Sequence, residues 1–96
     1  MSVKVIIECQ LRETKSALLD SFLTENVPTV KGFAGCQRVS ISFDKSKTTM
    51  LIDEDWQSVE HHKNYMQFID GNGVMQSLTA FMSEPPRILY LKPYEY

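Results

Sequence analysis

The segment TTMLIDEDWQSVEHHKNYMQFI, residues 48–69, passes directly from a strand pattern into a helix pattern. Alternation along residues 48–56 predicts a strand that carries Glu54 and Trp56 on its apolar face. From residue 58 to residue 69 the apolar side chains recur at helical spacing. The junction therefore predicts that a carboxylate, an indole and one face of a helix meet at a single place, where they could line a pocket with flat aromatic walls.

The same two periodicities predict the remaining elements on both sides of this junction. Strands are expected at residues 3–11, 36–43 and 87–92, and a short helix at 74–82. A further helix is expected to start at Thr14 as its N-cap. Ala17, Leu18 and Phe22, followed by Leu23 or Glu25, are expected to form the face with helical spacing. The order β-α-β-β-α-α-β predicts an α+β, ferredoxin-like protomer, in which an antiparallel four-stranded sheet carries the helices on one face.

Composition limits the function classes that are open to the chain. Its 96 residues are expected to form one domain, 1–96, and the formal net charge of −2 with scattered Lys and Arg gives little support for nucleic-acid binding. No apolar run approaches the roughly 18 residues of a membrane span, and no signal peptide is recognised. Cys9 and Cys36 lack CxxC spacing and fit a reducing compartment. We therefore expect a cytoplasmic protein without a disulfide.

The predicted strands carry apolar side chains on both faces. A sheet that is apolar on both sides is usually covered on both sides, and a second copy of the chain is the simplest cover for the face opposite the helices. We therefore predict a homodimer through this open sheet face. The prediction depends on three pairs of neighbouring residues that point to opposite faces: Val5 and Ile6, Met50 and Leu51, and Ile88 and Leu89.

His62 is the first candidate functional residue. It shares one arc of its helix with Val59, Met66 and Ile69, and Tyr65 lies at the edge of that arc. An imidazole removed from water has a lowered pKa and can accept or relay a proton. The alternative is a core histidine that is hydrogen-bonded to a backbone carbonyl. Both interpretations stay open at this stage.

His61 is expected to be a solvated surface residue. It points roughly 100° around the helix from His62. Two adjacent helical histidines cannot easily bind one metal ion, so the pair predicts no metal site.

Trp56, Tyr65 and Glu54 complete the set of candidates at the junction. The indole could stack on a planar ligand or anchor a small core, and the phenol could donate a hydrogen bond to a ligand. A buried Glu54 needs a partner, and Arg38 or Arg87 could supply it. A structural ion pair is the commoner role for such a carboxylate.

The order and spacing of several short motifs resemble the antibiotic biosynthesis monooxygenase (ABM) domain. The resemblance covers roughly residues 3–92 and rests on Gly32-Phe33-x-Gly35-Cys36, Glu54-x-Trp56, His62-x-x-Tyr65 and Pro85-Pro86-Arg87. It implies a dimeric α+β barrel with a pocket between sheet and helices in each protomer. It further implies oxidation of small quinol-like or anthrone-like aromatics by O₂ without a metal or other cofactor.

The resemblance also implies roles for individual residues. His62, Trp56 and Tyr65 are the expected catalytic residues, and Glu54, Met66 and Arg38 are expected to bind a small aromatic ligand. The first strand lacks the Asn of haem-degrading relatives, which disfavours that activity. Two alternatives remain: an isomerase or detoxifying enzyme for a small oxygenated metabolite, and a non-catalytic dimeric ligand-binding or stress-related module.

Overall fold

The computed structural model describes residues 2–12 and 16–96. Its elements are β1 Val3–Gln10, α1 Ser16–Lys31, β2 Cys36–Phe43, β3 Thr49–Trp56, α2 Val59–Gly71, α3 Val74–Thr79 and β4 Arg87–Leu91. The predicted order and the α+β, ferredoxin-like class are confirmed, and each strand ends within one residue of its predicted bounds. The predicted N-cap, Thr14, lies outside the described residues. Helix α3 ends at Thr79 rather than Met82, because Met82 forms a β-bridge with Leu11.

The four strands form one antiparallel sheet in the order β2-β3-β1-β4. Val5 of the central strand β1 pairs with Glu54 of β3 on one side and with Tyr90 of β4 on the other. Directly paired residues point to the same face of a sheet. Glu54 and Tyr90 therefore both face the helices, with Val5 between them.

The core lies between this face of the sheet and the helices. Alternate residues of β1 and β3 are fully or almost fully buried, as predicted for Met50, Ile52, Glu54 and Trp56. Among the described residues, Glu54 and His62 are the buried side chains of the polar and charged residue types. Such groups are costly to bury without partners, so their surroundings decide what they can do.

Helix α1 turns a different face to the core from the one predicted. Leu19 and Val30 are buried and Phe22 is partly buried, whereas Leu18 is 62% exposed and Ala17 is exposed as well. The prediction of Ala17 and Leu18 as core residues is therefore wrong. Two adjacent leucines allow two helix phases, and packing against the sheet selects the phase that buries Leu19.

Within residues 2–12 and 16–96, no helix covers the opposite face of the sheet, which is partly charged. Lys4 contacts Asp53 at 3.1 Å, and Arg38 contacts Asp53 at 2.6 Å and Asp55 at 2.8 Å. Apolar side chains lie beside this charged row and are only partly covered: Ile6, Leu51 and Leu89.

The two cysteines lie on strands that β3 separates. Cys9 on β1 is buried, Cys36 on β2 is partly buried, and both are free thiols. No helix within the described residues is long and apolar enough to cross a membrane.

Candidate functional site

An apolar pocket lies between the helix-facing side of the sheet and the three helices. It measures about 640 Å³ with its open mouth included, and only a small part of that volume is enclosed. Most of its wall comes from aliphatic and aromatic side chains such as Phe22 and Ile52. Of the described residues that line it, Asn26, Glu54 and Tyr65 carry polar side-chain groups. A ligand of this pocket would therefore be largely apolar and would meet few polar groups.

Glu54 is the ionisable group of highest chemical interest in the pocket wall. Its side chain is almost completely buried, and Trp56 Nε1–H donates a hydrogen bond of 2.8 Å to its Oε1. The two residues are neighbours on one strand face because they are two positions apart. Burial raises the pKa of the Glu54 carboxyl, and the hydrogen bond from Trp56 offsets part of that rise.

The predicted pairing of Glu54 with Arg38 or Arg87 is wrong. Arg38 pairs in register with Asp55 and points to the open face, where its guanidinium binds Asp53 and Asp55. Arg87 pairs with Glu8 and shares that open face. The expected role of Arg38 as a ligand-binding residue of this pocket is corrected for the same reason, since the sheet itself separates the two.

His62 lies directly behind Glu54. Ser58 caps the start of α2 by accepting a 3.1 Å hydrogen bond from His61 N, which places His62 on the buried side of the helix. His62 Nδ1 lies 2.8 Å from Tyr90 Oη, and His62 Nε2 lies 3.6 Å from Glu54 Oε1 without a hydrogen-bond partner in the described part of the chain. Burial lowers the pKa of the imidazole to about 4, so His62 is neutral near pH 7.

Aromatic rings fill the space around the buried pair. Trp56 is fully buried and meets His62 edge-on, with ring centroids 5.3 Å apart. Phe33 packs edge-on against both Trp56 and Tyr65. Tyr65 reaches the pocket wall, and burial raises its pKa to about 12, which keeps the phenol protonated as a hydrogen-bond donor.

The structure divides the predicted site residues into two layers. Glu54, Tyr65 and Met66 line the pocket. Trp56 and His62 are completely buried and lie behind that wall, so neither presents an open ring face to a ligand in this conformation. The catalytic roles of His62, Trp56 and Tyr65 and the ligand-binding roles of Glu54 and Met66 stay predictions. In this conformation Trp56 and His62 can act on a ligand only through Glu54 or after a movement of the wall.

Tyr90 was not among the predicted site residues. The signal was available in part, because Tyr90 and Ile88 alternate on β4 and therefore share the helix-facing side. Its contact with His62 depends on the register of three strands, which the sequence did not show.

The prediction of His61 as a solvated residue is also wrong. Its Nδ1 lies 2.6 Å from Ser58 Oγ, and its ring packs against Gly35, whose φ is +92°. Gly35 allows this close approach because it has no Cβ. No group of three or more His, Cys, Asp or Glu side chains suited to a metal ion occurs among residues 2–12 and 16–96.

Comparison with known proteins gives the same fold at low sequence identity. No family model and no curated protein matches the chain. An antibiotic biosynthesis monooxygenase of known structure matches with a TM-score of 0.85 at 11% identity, over 97% of this chain and 99% of that one. The chain has the ABM fold.

Two further solved structures extend this comparison. SnoaB, a cofactor-independent oxygenase from Streptomyces nogalater, shares the ABM fold with a TM-score of 0.82 at 8% identity, covering 99% of this chain and 95% of that one. Rv0793 from Mycobacterium tuberculosis matches with a TM-score of 0.83 at 14% identity, over 100% and 98% of the two chains. Within the ABM fold of this chain, the pocket lies between sheet and helices, where the resemblance implied it.

Proposed function

We propose that this protein is a cofactor-independent monooxygenase that oxidises a small aromatic quinol-like or anthrone-like substrate with O₂. The observation that carries the proposal is the buried Glu54 carboxyl in the wall of a largely apolar pocket. A shared fold alone does not define a reaction. The oxygenase SnoaB nevertheless shows that the fold can support this class of chemistry.

Glu54 supplies the base that this reaction needs. A carboxylate with a raised pKa accepts a proton more readily than an exposed one, and general-base catalysis is most effective when that pKa lies near the working pH. Loss of a proton turns a phenol or anthrone into an electron-rich anion that can pass an electron to O₂ directly. An apolar pocket excludes water from the anion and from the intermediates that follow.

The overall reaction balances without another reductant. An aromatic C–H carbon para to a phenol, or the CH₂ carbon of an anthrone, becomes a carbonyl. One oxygen atom of O₂ enters the product and the other leaves as water, so the substrate provides all four electrons. The proton that Glu54 removes first is returned when the peroxide intermediate breaks down, and the carboxylate is regenerated.

The other residues of the site hold the substrate or hold Glu54. Tyr65 can donate its hydroxyl to a substrate oxygen, and Met66 contributes apolar wall. Trp56 fixes one oxygen of Glu54 through its 2.8 Å hydrogen bond and is a positioning residue in this scheme. A substrate with two or three rings is larger than the enclosed part of the pocket, so the proposal requires wall side chains such as Phe22 to move on binding.

The working protein is proposed to be a cytoplasmic homodimer. The open sheet face offers the partly covered Ile6, Leu51 and Leu89 to a second copy. The free thiols of Cys9 and Cys36 suit a reducing compartment.

Oxygen consumption by the purified, metal-free protein tests the proposal. The substrates are dihydroxynaphthalenes, anthrones and hydroquinones, each corrected for autoxidation. We expect uptake that scales with protein and falls by about 100-fold or more in Glu54→Gln, in line with the usual contribution of a general base. Glu60→Gln, an exposed position on α2, is the matched control and should behave like wild type.

Four results would contradict this function or the role of Glu54 in it. Oxygen uptake no faster than autoxidation would exclude the oxygenase function. Full oxygen uptake by Glu54→Gln would exclude Glu54 as its base. Product formed without O₂ would indicate an isomerase instead. Thermal stabilisation by a compound that stays unchanged would indicate a binding module.

A further inference from the structure

Three ionisable side chains connect the buried pocket wall to the protein surface. Glu54 is 3% exposed, His62 is 0% exposed and Tyr90 is 40% exposed. His62 lies between the other two, 3.6 Å from Glu54 Oε1 through Nε2 and 2.8 Å from Tyr90 Oη through Nδ1. The proposed reaction uses only the first of these groups.

The fold fixes this arrangement from two directions. Glu54 and Tyr90 face the same side of the sheet from β3 and β4, with Val5 of β1 between them. Two strand spacings separate the backbones of Glu54 and Tyr90 by roughly 10 Å. His62 of α2 lies above the row and reaches one neighbour with each ring nitrogen.

We propose that Glu54, His62 and Tyr90 form a proton path between the pocket and solvent, with the Tyr90 hydroxyl as its outer end. This inference rests on the proposed function for its purpose, because a base enclosed in an apolar pocket needs a route by which its proton can leave and return. In this path Tyr90 acts on Glu54 through His62.

The transfers balance as a chain of exchanges. Glu54 takes the substrate proton and passes it to His62 Nε2. His62 Nδ1–H moves to Tyr90 Oη, and the hydroxyl proton of Tyr90 moves to water. Return of a proton to the peroxide intermediate reverses each transfer and restores the starting tautomer of the imidazole.

His62 Nε2, which lacks a hydrogen-bond partner among the described residues, favours a proton path over a purely structural role for His62. A core histidine usually has hydrogen-bond partners for its buried polar atoms, but His62 Nε2 has none among the described residues. A gap of 3.6 Å is too long for a hydrogen bond. Catalytic contacts are often this loose before substrate binds, and a small rotation of the Glu54 side chain would close the gap.

Hydrogen exchange at the His62 ring tests the path without any enzymatic activity. The ring N–H of His62 is followed by ¹⁵N-edited NMR in wild type and in Tyr90→Phe, which keeps the ring and removes only the hydroxyl. We expect exchange with water to slow by at least about tenfold in Tyr90→Phe, because the outer relay group is lost. Tyr94→Phe, which alters an exposed tyrosine, is the matched control.

The Trp56 indole N–H provides an internal reference in the same spectra. It is as buried as His62 and donates to Glu54 Oε1, but it is not one of the three relay groups. A variant that merely loosens the fold would speed exchange at both groups, whereas loss of the path slows it at His62 alone. Unchanged or faster exchange at His62 in Tyr90→Phe would overturn the inference.

Steady-state kinetics then separate this inference from the proposed function. With an active wild type, Tyr90→Phe should lower kcat by about tenfold or more and leave KM within about twofold, since the hydroxyl lies away from the substrate. An unchanged kcat would also overturn the path. If wild type consumes no O₂ but exchange at His62 depends on Tyr90, the path stands and the proposed function fails.

Discussion

Replacement of Gly35 by alanine tests how α2, the helix that carries His62, is held against the sheet. Gly35 has a φ of +92°, and its carbonyl oxygen accepts a 2.7 Å hydrogen bond from Gln57 N. A Cβ at this position would overlap the Cβ, Cγ and Cδ2 atoms of His61. The substitution therefore combines backbone strain with a collision at the first turn of α2.

The expected loss of stability follows from these two effects. A non-glycine residue in this backbone region costs about 1–3 kcal/mol. If the His61 ring turns away, its 2.6 Å hydrogen bond with Ser58 is lost, which costs about 1 kcal/mol more. Together they lower the free energy of unfolding by about 2–4 kcal/mol and the Tm by roughly 10–25 °C in a domain of this size.

Urea unfolding followed by the fluorescence of Trp56, the single tryptophan of the chain, measures this loss. Gly71→Ala is the matched control, because a Cβ there meets nothing within 4 Å and alanine favours the helix. In a His61→Ala background the overlap with Cγ and Cδ2 is removed and only the overlap with the Cβ remains, so Gly35→Ala should cost about 1 kcal/mol less than in wild type. A loss below about 0.5 kcal/mol in wild type, or equal losses in both backgrounds, would refute the reasoning.

Two further predictions concern the buried imidazole and the open sheet face. Because the pKa of His62 falls from 6.5 to about 4 on folding, the unfolded chain binds the extra proton, and stability should fall by roughly 2 kcal/mol between pH 7.5 and pH 5.0. Urea unfolding of wild type and His62→Gln at both pH values checks this, and an equal pH dependence of stability in the two proteins would contradict it. The raised pKa of Glu54 acts in the opposite direction on stability, and it does so in both proteins. Light scattering at micromolar concentration should give twice the chain mass for wild type and the chain mass for Leu51→Lys, and a monomeric wild type would exclude the dimer.

Alternation along the strands explains why most of the fold could be predicted. Each strand of this sheet has one face toward the helices, and the periodicity of β3 therefore placed Glu54 and Trp56 on the buried side correctly. The same rule applied to β2 puts Arg38 on the face opposite Val39, so its pairing with Glu54 could have been rejected from the sequence. The error came from matching charges without following the alternation.

The features of the fold and site that could not be predicted from the sequence depend on distances between helices and strands. The contact of His62 with Tyr90 requires the register of β4 against β1 and the height of α2 above the sheet. The choice between Leu18 and Leu19 as the core residue of α1 depends on how the whole helix packs. The burial of Trp56 behind the pocket wall depends on Phe33 and Tyr65, which cover its ring.

The carboxyl, the indole and the imidazole of the site all come from the single segment 54–62, whereas Tyr90 belongs to the last strand. A cluster encoded this compactly is inherited as one unit when segments recombine between proteins of the same fold. Transplanting the β3–α2 junction into another such scaffold would carry three of the four groups together. The outer hydroxyl would have to come from the recipient's own final strand.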